Sequence, residues 1–358
     1  MKLLVISAHE GSVAFRGWIN SFKGDIRKVD FLTVLSDVNY RSVRRYSRFF
    51  NRVTIYFIFP LVMLLSRRRV NKADVIFVVT SPFYAPWLAR LFYPKKKVVI
   101  LHNDIYPEAF KAILGLKETG VLFRGVMQID QYFERKVDGN VYISKEHYDV
   151  RKDRSAAPIY LPTPGFQTDL RKSSEIDPKF IRFVYSGTLN SLHWGERTKT
   201  LLVTLAGHPE VIIDFYISGS MRNQVASELT GISNVNFYSP LGIDQYVRNL
   251  LSYDYGLVML NESSASSIFP SKIPGHLSIG QPVLVLSPTK NSVTDFIAEN
   301  SCGDVFIGDQ ASKINVIANH GPKRYAELCE NSTRAFEENF CPDMLSKKLT
   351  HYLVENIA

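Results

Sequence analysis

The stretch "YGLVMLNESSASSIFPSKIPGHLSIGQPVLVL" (residues 255–286) contains two apolar runs separated by a polar loop and one short helix-like segment. The runs Tyr255–Leu260 and Pro282–Leu286 are continuous, which is typical of strands buried on both faces of a parallel sheet. The segment between them begins at Ser271-Lys272 and is expected to stop at Gly280. The stretch therefore predicts one strand–helix–strand unit of an α/β protein.

Similar apolar runs recur along the whole chain of 358 residues, with helix-like stretches between them. They form two series, and two such series predict two doubly wound parallel-sheet domains. The predicted strands are Lys2–Ser7, Lys28–Val34, Asp74–Thr80, Lys96–Leu101, Gly139–Ile143, Pro158–Leu161, Phe180–Ser186, Val211–Ile217, Val235–Tyr238, Tyr255–Leu260, Pro282–Leu286 and Gly303–Ile307.

The boundary between the two domains is predicted within residues 161–178, which are rich in Pro, Ser, Thr and charge and lack an apolar period. We therefore expect an N-terminal domain over residues 1–165 and a C-terminal domain over residues 166–340. The remaining segment, residues 341–358, has apolar residues at helical spacing and is predicted to be an amphipathic helix.

Charge is distributed unevenly along the chain. Its net charge is +9, yet residues 1–165 hold 27 Lys+Arg against 14 Asp+Glu, while residues 166–358 hold 16 against 20. This asymmetry indicates that the first half faces something anionic: a membrane surface, a nucleic acid or an anionic substrate. A nucleic-acid partner is disfavoured because no aromatic-basic readout motif accompanies the cations.

The three cysteines, Cys302, Cys329 and Cys341, show no metal-ligand spacing, and their odd number argues for a reducing compartment. The opening apolar run is too short for the core of a signal peptide. Residues 53–65 are apolar, but this run is shorter than the roughly 20 residues that span a bilayer. We therefore expect a cytoplasmic protein without a transmembrane helix.

The segment "RSVRRYSRFFNRVTIYF" (residues 41–57) predicts a basic amphipathic helix. Residues 41–72 contain nine Lys+Arg and no acidic residue. Such a helix suits an anionic membrane surface, here the inner face of the cell membrane; the alternative is a core-facing helix with a solvated basic face. The cations expected to contact the membrane or the acceptor are Arg44, Arg45, Arg48 and Arg52.

Ligand sites of parallel sheets lie beyond the carboxyl ends of the strands. Ser271 and Lys272 occupy such a position at the start of a helix, where unpaired N–H groups and a partial positive charge attract a phosphate. The alternative is that Ser271 is a plain helix cap and Lys272 a solvated surface residue.

The segment "YSGTLNSLHWGERTK" (residues 185–199) follows another predicted strand. Gly187 directly after the strand would let a ligand approach the backbone. Thr188, His193 and Arg197 supply polar groups beside it. The alternative is a flexible turn with no ligand.

In the N-terminal half, "LHNDIYPEAF" (residues 101–110) places His102, Asp104 and Glu108 just after a strand. Carboxylates there suit general base catalysis or acceptor binding, although they could equally stabilise the positive end of the next helix. Gly11 and Arg16, in the loop after the first strand, are candidates for contact with the acceptor or simply form a turn.

The chain contains no Asp-x-Asp pair, the kind of carboxylate cluster that clamps a metal on a diphosphate. We therefore predict no metal and no cofactor, and expect cationic side chains and helix ends to stabilise any bound diphosphate.

These residues resemble bacterial glycosyltransferases of the GT-B type, close to family GT4 in the group that acts on O-antigen, capsule and exopolysaccharide. The similar stretches are "HNDIYPEAF", "VYISKEHYDV", "FVYSGTLNSLHWG", the opening stretch and "IAENSCGDVF". The resemblance implies two Rossmann-like domains facing across a cleft, a nucleotide-diphospho-sugar bound by the C-terminal half and an acceptor, often lipid-linked, bound by the N-terminal half. It also implies a metal-independent reaction and a final helix that crosses back to the first domain.

The chain departs from the family at one motif. Members usually carry two glutamates eight positions apart, and the matching positions here hold Ser267 and Gly275. His276 is a candidate to replace the lost ribose contact. Retention of anomeric configuration is the expectation, with an inverting mechanism on Asp104 or Glu108 left open. The other function considered is an inactive scaffold or binding subunit of a polysaccharide assembly complex.

Overall fold

The computed structural model describes residues 1–8, 19, 26, 28–36, 50–103, 119–175, 179–190, 193–219, 221–261, 269–308 and 321–357. The chain divides into two compact units. The N-terminal unit comprises Met1–Pro164 together with Pro342–Ala358, and the C-terminal unit comprises Gly165–Cys341.

The N-terminal unit contains a parallel six-stranded sheet in the order β2-β1-β3-β4-β5-β6. Its strands are β1 (Lys2–Ile6), β2 (Lys28–Leu32), β3 (Val75–Val79), β4 (Lys97–His102), β5 (Gly139–Tyr142) and β6 (Pro158–Tyr160). A π-helical turn (Thr54–Ile58) precedes α1. The helices are α1 (Phe59–Leu65), α2 (Arg67–Asn71), α3 (Ala85–Phe92), α4 (Val121–Lys136) and α5 (Lys145–Arg151), followed by a 3-10 turn (Lys152–Arg154).

The C-terminal unit also contains a parallel six-stranded sheet, in the order β12-β11-β10-β7-β8-β9. Its strands are β7 (Ile181–Thr188), β8 (Val211–Ser218), β9 (Val235–Tyr238), β10 (Tyr255–Met259), β11 (Val283–Ser287) and β12 (Gly303–Ile307). Its helices are α6 (Glu196–Ala206), α7 (Arg222–Glu228), α8 (Ile243–Leu250), α9 (Lys272–Leu277), α10 (Ser292–Asn300) and α11 (Pro322–Asn339).

The central strands are uninterrupted apolar runs because helices cover both faces of each sheet. Every residue of β3, β10 and β11 is buried. The edge strand β2 is different: Lys28 and Asp30 are exposed, and only Leu32 is fully buried. An edge strand has one neighbour and less cover, so it tolerates charged residues that a central strand excludes.

All of the predicted strands are present, each within two residues of its predicted ends. One detail was wrong. Gly187 lies inside β7 and does not follow it, because the strand continues to Thr188. Gly187 has a φ of 115°, a conformation that glycine adopts without steric cost.

The final segment forms the helix α12 (Pro342–Asn356) and packs in the N-terminal unit. Leu345, Leu349 and Leu353 join the core that includes Val5 and Phe77. Among the described residues, no helix is both long enough and apolar enough to cross a bilayer.

Candidate functional site

The loops after β7 and β10 meet at one edge of the C-terminal sheet. β7 and β10 are paired neighbours. The Thr198 hydroxyl in the first turn of α6 donates a hydrogen bond of 2.9 Å to the Leu260 carbonyl at the end of β10. Gly195, just before α6, lies so close to Asn261 that a Cβ there would be 2.5 Å from its side-chain oxygen. This close approach brings the two predicted polar loops to the same place.

Lys272 is the main feature of this edge. Its amino group is buried and has no hydrogen-bond partner among the described residues, although part of the side chain stays accessible. The Nζ atom lies 3.5 Å from the centroid of the Tyr185 ring on β7. Burial lowers the pKa of Lys272 to about 7. A buried ammonium facing an aromatic ring with no carboxylate is costly, and a bound anion would compensate that cost.

The helix that begins at Lys272 is shorter than a typical ligand-binding helix. α9 has six residues, and Ser271 is exposed and makes no side-chain capping bond. Both the phosphate contact of Ser271 and its alternative as a helix cap were predicted from the sequence, and the structure shows no such cap. The amino group of Lys272, rather than the helix end, is therefore the distinctive group.

His193 also lies near Tyr185. Its ring centroid is 6.4 Å from that of Tyr185, and its Nδ1 is 2.9 Å from the Asn190 side-chain oxygen. Burial lowers the pKa of His193 to about 3, and the positive charge of Lys272 lowers it further. The imidazole is therefore neutral at physiological pH. The structure brings His193 and Lys272 together, as the sheet-edge argument predicted.

Gly187 and Thr188 are exposed at the end of β7, and a Cβ on Gly187 would meet nothing within 4 Å. The backbone here is open to a ligand. Arg197, the second residue of α6, is also exposed. A contact of these three residues with a nucleotide sugar stays a prediction.

His276 is fully buried in the same region. Its Nδ1 is 2.7 Å from the Gln281 side-chain oxygen, and the Gln281 amide nitrogen donates to the carbonyls of Leu250 and Tyr253. That arrangement fixes the amide so that its oxygen accepts from Nδ1. The Nε2 atom then carries a lone pair and has no hydrogen-bond partner among the described residues.

Burial lowers the pKa of His276 to about 4, which keeps the ring neutral, with nearby Lys272 acting in the same direction. The ring packs on β10: a Cβ on Gly256 would lie 2.4 Å from its Cγ. Because the side chain has no exposed surface, a ribose could reach it only after a local rearrangement. The ribose contact stays a prediction.

Gly275 is one of the two positions that the family resemblance matches to a glutamate. A Cβ at Gly275 would lie 2.8 Å from the Phe166 ring. Phe166, which packs edge-on against Tyr246, therefore takes the space into which any side chain at this position would project. Ser267, the other position, lies outside the described residues.

His102 ends β4 but belongs to a buried network. It is 2% exposed, its Nε2 lies 3.0 Å from the Asn140 side-chain oxygen, and its ring stacks on Tyr142 at 4.4 Å. Burial lowers the pKa of His102 to about 4. These contacts give the ring a structural role in the sheet, and its catalytic role stays a prediction.

The same network contains a buried arginine with two carboxylates. Arg151 is bonded to Asp130 at 2.9 Å and to Glu134, both on α4. Burial raises the pKa of Asp130, and the neighbouring Glu134 raises it further. Trp87 also approaches Asp130, at 3.4 Å.

Several predicted residues lie outside the described part of the chain: Gly11, Arg16, Arg44, Arg45, Arg48, Asp104 and Glu108. Arg52 is described and exposed. Within the described ranges, no group of three His, Cys, Asp or Glu side chains is arranged to hold a metal ion.

No protein-family model matches this chain, and no curated protein matches it in sequence. Solved structures do match. The chain has the GT-B fold. Sucrose-phosphate synthase from Thermosynechococcus elongatus superposes with a TM-score of 0.69 at 11% identity, covering 99% of this chain and 98% of that one. Anabaena HepE in complex with UDP and glucose superposes with a TM-score of 0.70 at 12% identity, covering 99% of both chains.

A third similar structure is the N-terminal domain of Candida albicans trehalose-6-phosphate phosphatase, with a TM-score of 0.66, 11% identity, and coverage of 99% and 97%. Such different names on one architecture show that the fold does not assign the activity. The activity of this chain has to be argued from its own site.

Sequence reasoning missed three residues of this site. Tyr185 was counted as a strand residue, Gln281 as a position before a strand, and Phe166 as part of a linker. The contacts of Tyr185 with Lys272 and of Phe166 with Gly275 join elements that are distant in sequence, so spacing carries no signal of them. Gln281 is only five residues from His276, but that spacing does not by itself indicate a hydrogen bond.

Proposed function

We propose that this protein transfers a sugar from a nucleotide-diphospho-sugar to a glycan acceptor, without a metal ion, in the synthesis of a bacterial surface polysaccharide. The observation that carries the proposal is the buried amino group of Lys272, which has no hydrogen-bond partner among the described residues. It lies at the carboxyl edge of a parallel sheet, the edge at which ligands bind in open α/β sheets.

The donor's diphosphate supplies what this site lacks. It brings negative charge to a cation that no carboxylate of the described residues neutralises, and leaves the neutral His193 and His276 as hydrogen-bonding groups. In the transfer, the bond between the sugar and the diphosphate breaks, and negative charge grows on the departing phosphate oxygen. Lys272 would stabilise that charge, which is the task that a metal performs elsewhere. The complexes of HepE with UDP and with UDP-glucose support a uridine nucleotide as the first donor to test.

The acceptor we propose is a lipid-linked or oligosaccharide glycan, bound by the N-terminal unit at the inner face of the cell membrane. The excess of cations in residues 1–165 supports an anionic partner for this half. We propose retention of anomeric configuration, as the family resemblance implies, with inversion through Asp104 or Glu108 as the competing mechanism.

Thermal unfolding with a panel of nucleotide sugars tests the donor. A ligand at a hundredfold excess over its dissociation constant stabilises the native state by about 2.7 kcal/mol. We expect one of the UDP-, GDP-, dTDP- or CMP-sugars to raise the melting temperature of the wild type, in EDTA as well as in magnesium. Lys272→Met should abolish this shift, whereas Lys323→Met, an exposed lysine of the same unit, should keep it.

Three results would contradict the donor proposal. They are the absence of a shift with every nucleotide sugar, a shift that requires magnesium, and a shift that Lys272→Met leaves unchanged. The stereochemistry is read separately, from the NMR coupling constant of the new glycosidic linkage.

A second candidate function is a non-catalytic binding subunit. The specific observation in its favour is that Phe166 fills the space of the absent glutamate at Gly275. Complementation of a deletion strain separates the two functions. Lys272→Met should abolish polymer synthesis if the protein is the transferase, and should support it if the protein acts as a scaffold.

A further inference from the structure

The helical segment 54–65 of the N-terminal unit is apolar on its outer face as well as on its inner face. Phe57, Leu61, Leu64 and Leu65 are 73%, 54%, 40% and 72% exposed. Their spacing of four, three and one residues places them along one side of a helix. A surface helix usually presents polar residues to water. Packing within this unit therefore does not explain why the exposed side of this segment is apolar.

The inner side of the same segment is firmly packed. Phe59 and Met63 are buried in a core with Ala85 and Ala89 of α3, and Ile55 packs against it. The hydroxyls of Tyr84 and Tyr93 donate hydrogen bonds to the carbonyls of Ile55 and Met63. The outer apolar side is therefore held on a fixed element of the fold.

The π-helical turn widens the exposed arc. Thr54–Ile58 accommodates one more residue per turn than an α-helix would. As a result, the consecutive residues Tyr56, Phe57 and Ile58 are all exposed, at 56%, 73% and 45%. Two of these three are aromatic, the residue type that is enriched at membrane–water interfaces.

Arginines flank this apolar side at both ends of the segment. Arg52 precedes it, and Arg67, Arg68 and Arg69 follow it; all four are exposed. No carboxylate in the described residues forms an ion pair with any of them, and residues 41–72 contain no acidic residue at all. Arg69 donates a hydrogen bond of 3.0 Å to the Phe31 carbonyl.

We infer that residues 52–69 form a membrane-docking surface that inserts its aromatic and leucine side chains into the interface of an anionic bilayer. The arginines then lie at the level of the lipid phosphates, where each cation adds to the attraction. This inference rests on the membrane association proposed above and specifies which surface makes it. The sequence predicts the membrane-facing helix over residues 41–57, and the structure describes residues 50–57 of that range.

A second copy of the chain is a poorer occupant of this surface. In a two-fold dimer the same patch meets itself, so the unpaired arginines of one copy would face those of the other. Like charges opposed across an interface are unfavourable. A bilayer that contains anionic lipid satisfies both the apolar and the cationic parts at once.

Flotation of the full chain with vesicles tests the surface. We use phosphatidylcholine alone, and phosphatidylcholine with about one-third phosphatidylglycerol. The wild type should partition mainly onto the anionic vesicles. Arg67→Gln with Arg68→Gln should weaken that partitioning roughly 30-fold, since each cation contributes about 1 kcal/mol.

Phe57→Ser with Leu61→Gln should weaken partitioning by at least tenfold at unchanged charge. The matched control is Phe180→Ser with Val203→Gln, two side chains of the C-terminal unit that are 39% and 40% exposed. It should bind vesicles like the wild type. All four positions are solvent-exposed, and an unchanged melting temperature verifies that each variant folds.

The outcomes distinguish membrane association itself from the particular surface proposed to make it. Vesicle binding that survives both surface variants overturns this surface but leaves membrane association standing. Absence of binding to any vesicle overturns both. A dimer in solution that Phe57→Ser with Leu61→Gln dissociates, without vesicle binding, identifies a second copy as the occupant and overturns the inference. Nucleotide-sugar binding, measured in the same variants, should be unchanged in every case.

Discussion

The two units of this protein bury charge in opposite ways. In the N-terminal unit, the buried guanidinium of Arg151 has two carboxylate partners, Asp130 and Glu134. In the C-terminal unit, the buried ammonium of Lys272 has an aromatic ring and two neutral histidines near it, and no carboxylate pairs with it among the described residues.

This difference teaches how to distinguish a structural charge from a ligand-binding one. Desolvating a charge costs free energy, and an internal partner of opposite sign returns much of that cost within the folded chain. Where no such partner exists, the cost persists until something outside the chain supplies the charge. The surroundings of Arg151 thus fit a structural role, and those of Lys272 fit the anion site proposed above.

The largest expected effect is on stability in the N-terminal unit. Arg151→Met should lower the free energy of unfolding by about 3–5 kcal/mol, because it leaves buried carboxylates without their cation. Urea unfolding followed by circular dichroism measures this. Lys152→Met, which removes a cation that is 43% exposed and lies 3.6 Å from Asp149, should change stability by less than about 1 kcal/mol. If the two variants lost a similar free energy of unfolding, Arg151 could not be described as a buried charge that its carboxylate partners stabilise.

The next expected effect concerns the packing of the His276 ring, which lies near Lys272. Gly256→Ala places a methyl group against the His276 ring, where the contact would be 2.4 Å. Overpacking of this kind typically costs about 1–3 kcal/mol. We also expect weaker nucleotide-sugar binding, because the ring must move near Lys272. Gly242→Ala, at a glycine with nothing within 4 Å, is the control. A Gly256→Ala variant with the wild-type melting temperature would show that His276 is not held as described.

Lys272→Met should change the free energy of unfolding in the opposite direction from Arg151→Met. Burial holds the folded-state pKa of Lys272 near 7, below the value of 10.5 for a free lysine. Below pH 7 the amine is charged in both states, so the full cost of burying the charge is present. Between pH 7 and about 10 the unfolded chain binds the extra proton, so the stability of the wild type rises with pH.

We therefore expect Lys272→Met to raise the free energy of unfolding at pH 6 by at least about 1 kcal/mol, since one pKa unit corresponds to about 1.4 kcal/mol. The advantage over the wild type should shrink towards pH 10. Urea titrations at both pH values measure it. Destabilisation at pH 6 would mean that the amine already has a compensating partner in the free protein.

The last expected effect is a pH dependence of donor affinity. If the bound diphosphate requires a charged Lys272, binding above pH 7 must take up a proton, and the dissociation constant should rise up to tenfold per pH unit. Isothermal titration calorimetry with the nucleotide sugar that binds measures this. His193 and His276, with pKa values of about 3 and 4, remain neutral over this range.

Lys272→Arg provides the matched comparison for this last prediction. A guanidinium keeps its charge at every pH used, so whatever affinity this variant retains should be nearly independent of pH. A wild-type affinity that is equally flat between pH 6 and pH 9 would argue against a depressed pKa at Lys272.

Much of the fold could be predicted because its signal is local. A central strand such as β3 or β11 is apolar at every position, and that pattern is visible without knowledge of its neighbours. The site was predicted in part. Lys272 and His193 were named as candidates from their positions after strands, but Tyr185, which lies near both, was not, since it comes from the interior of another element. Gln281, which fixes the tautomer of His276, was missed as well. The proposed membrane surface overlaps the helix expected over residues 41–57 only in part, and residues 41–49 lie outside the described part of the chain. Sequence periodicity marks an apolar stripe without telling which side faces the core.

The sequence by itself determined the two parallel sheets, the positions of the loops at their carboxyl edges, and the excess of cations in the first half. These follow from short-range rules, the burial of apolar runs and the count of charges. Only the tertiary structure decided that Lys272 is buried without a carboxylate partner in the described part of the chain, while Arg151 is buried with two. The free energy of a charge depends on what surrounds it in space, and residues far apart in the chain supply those surroundings.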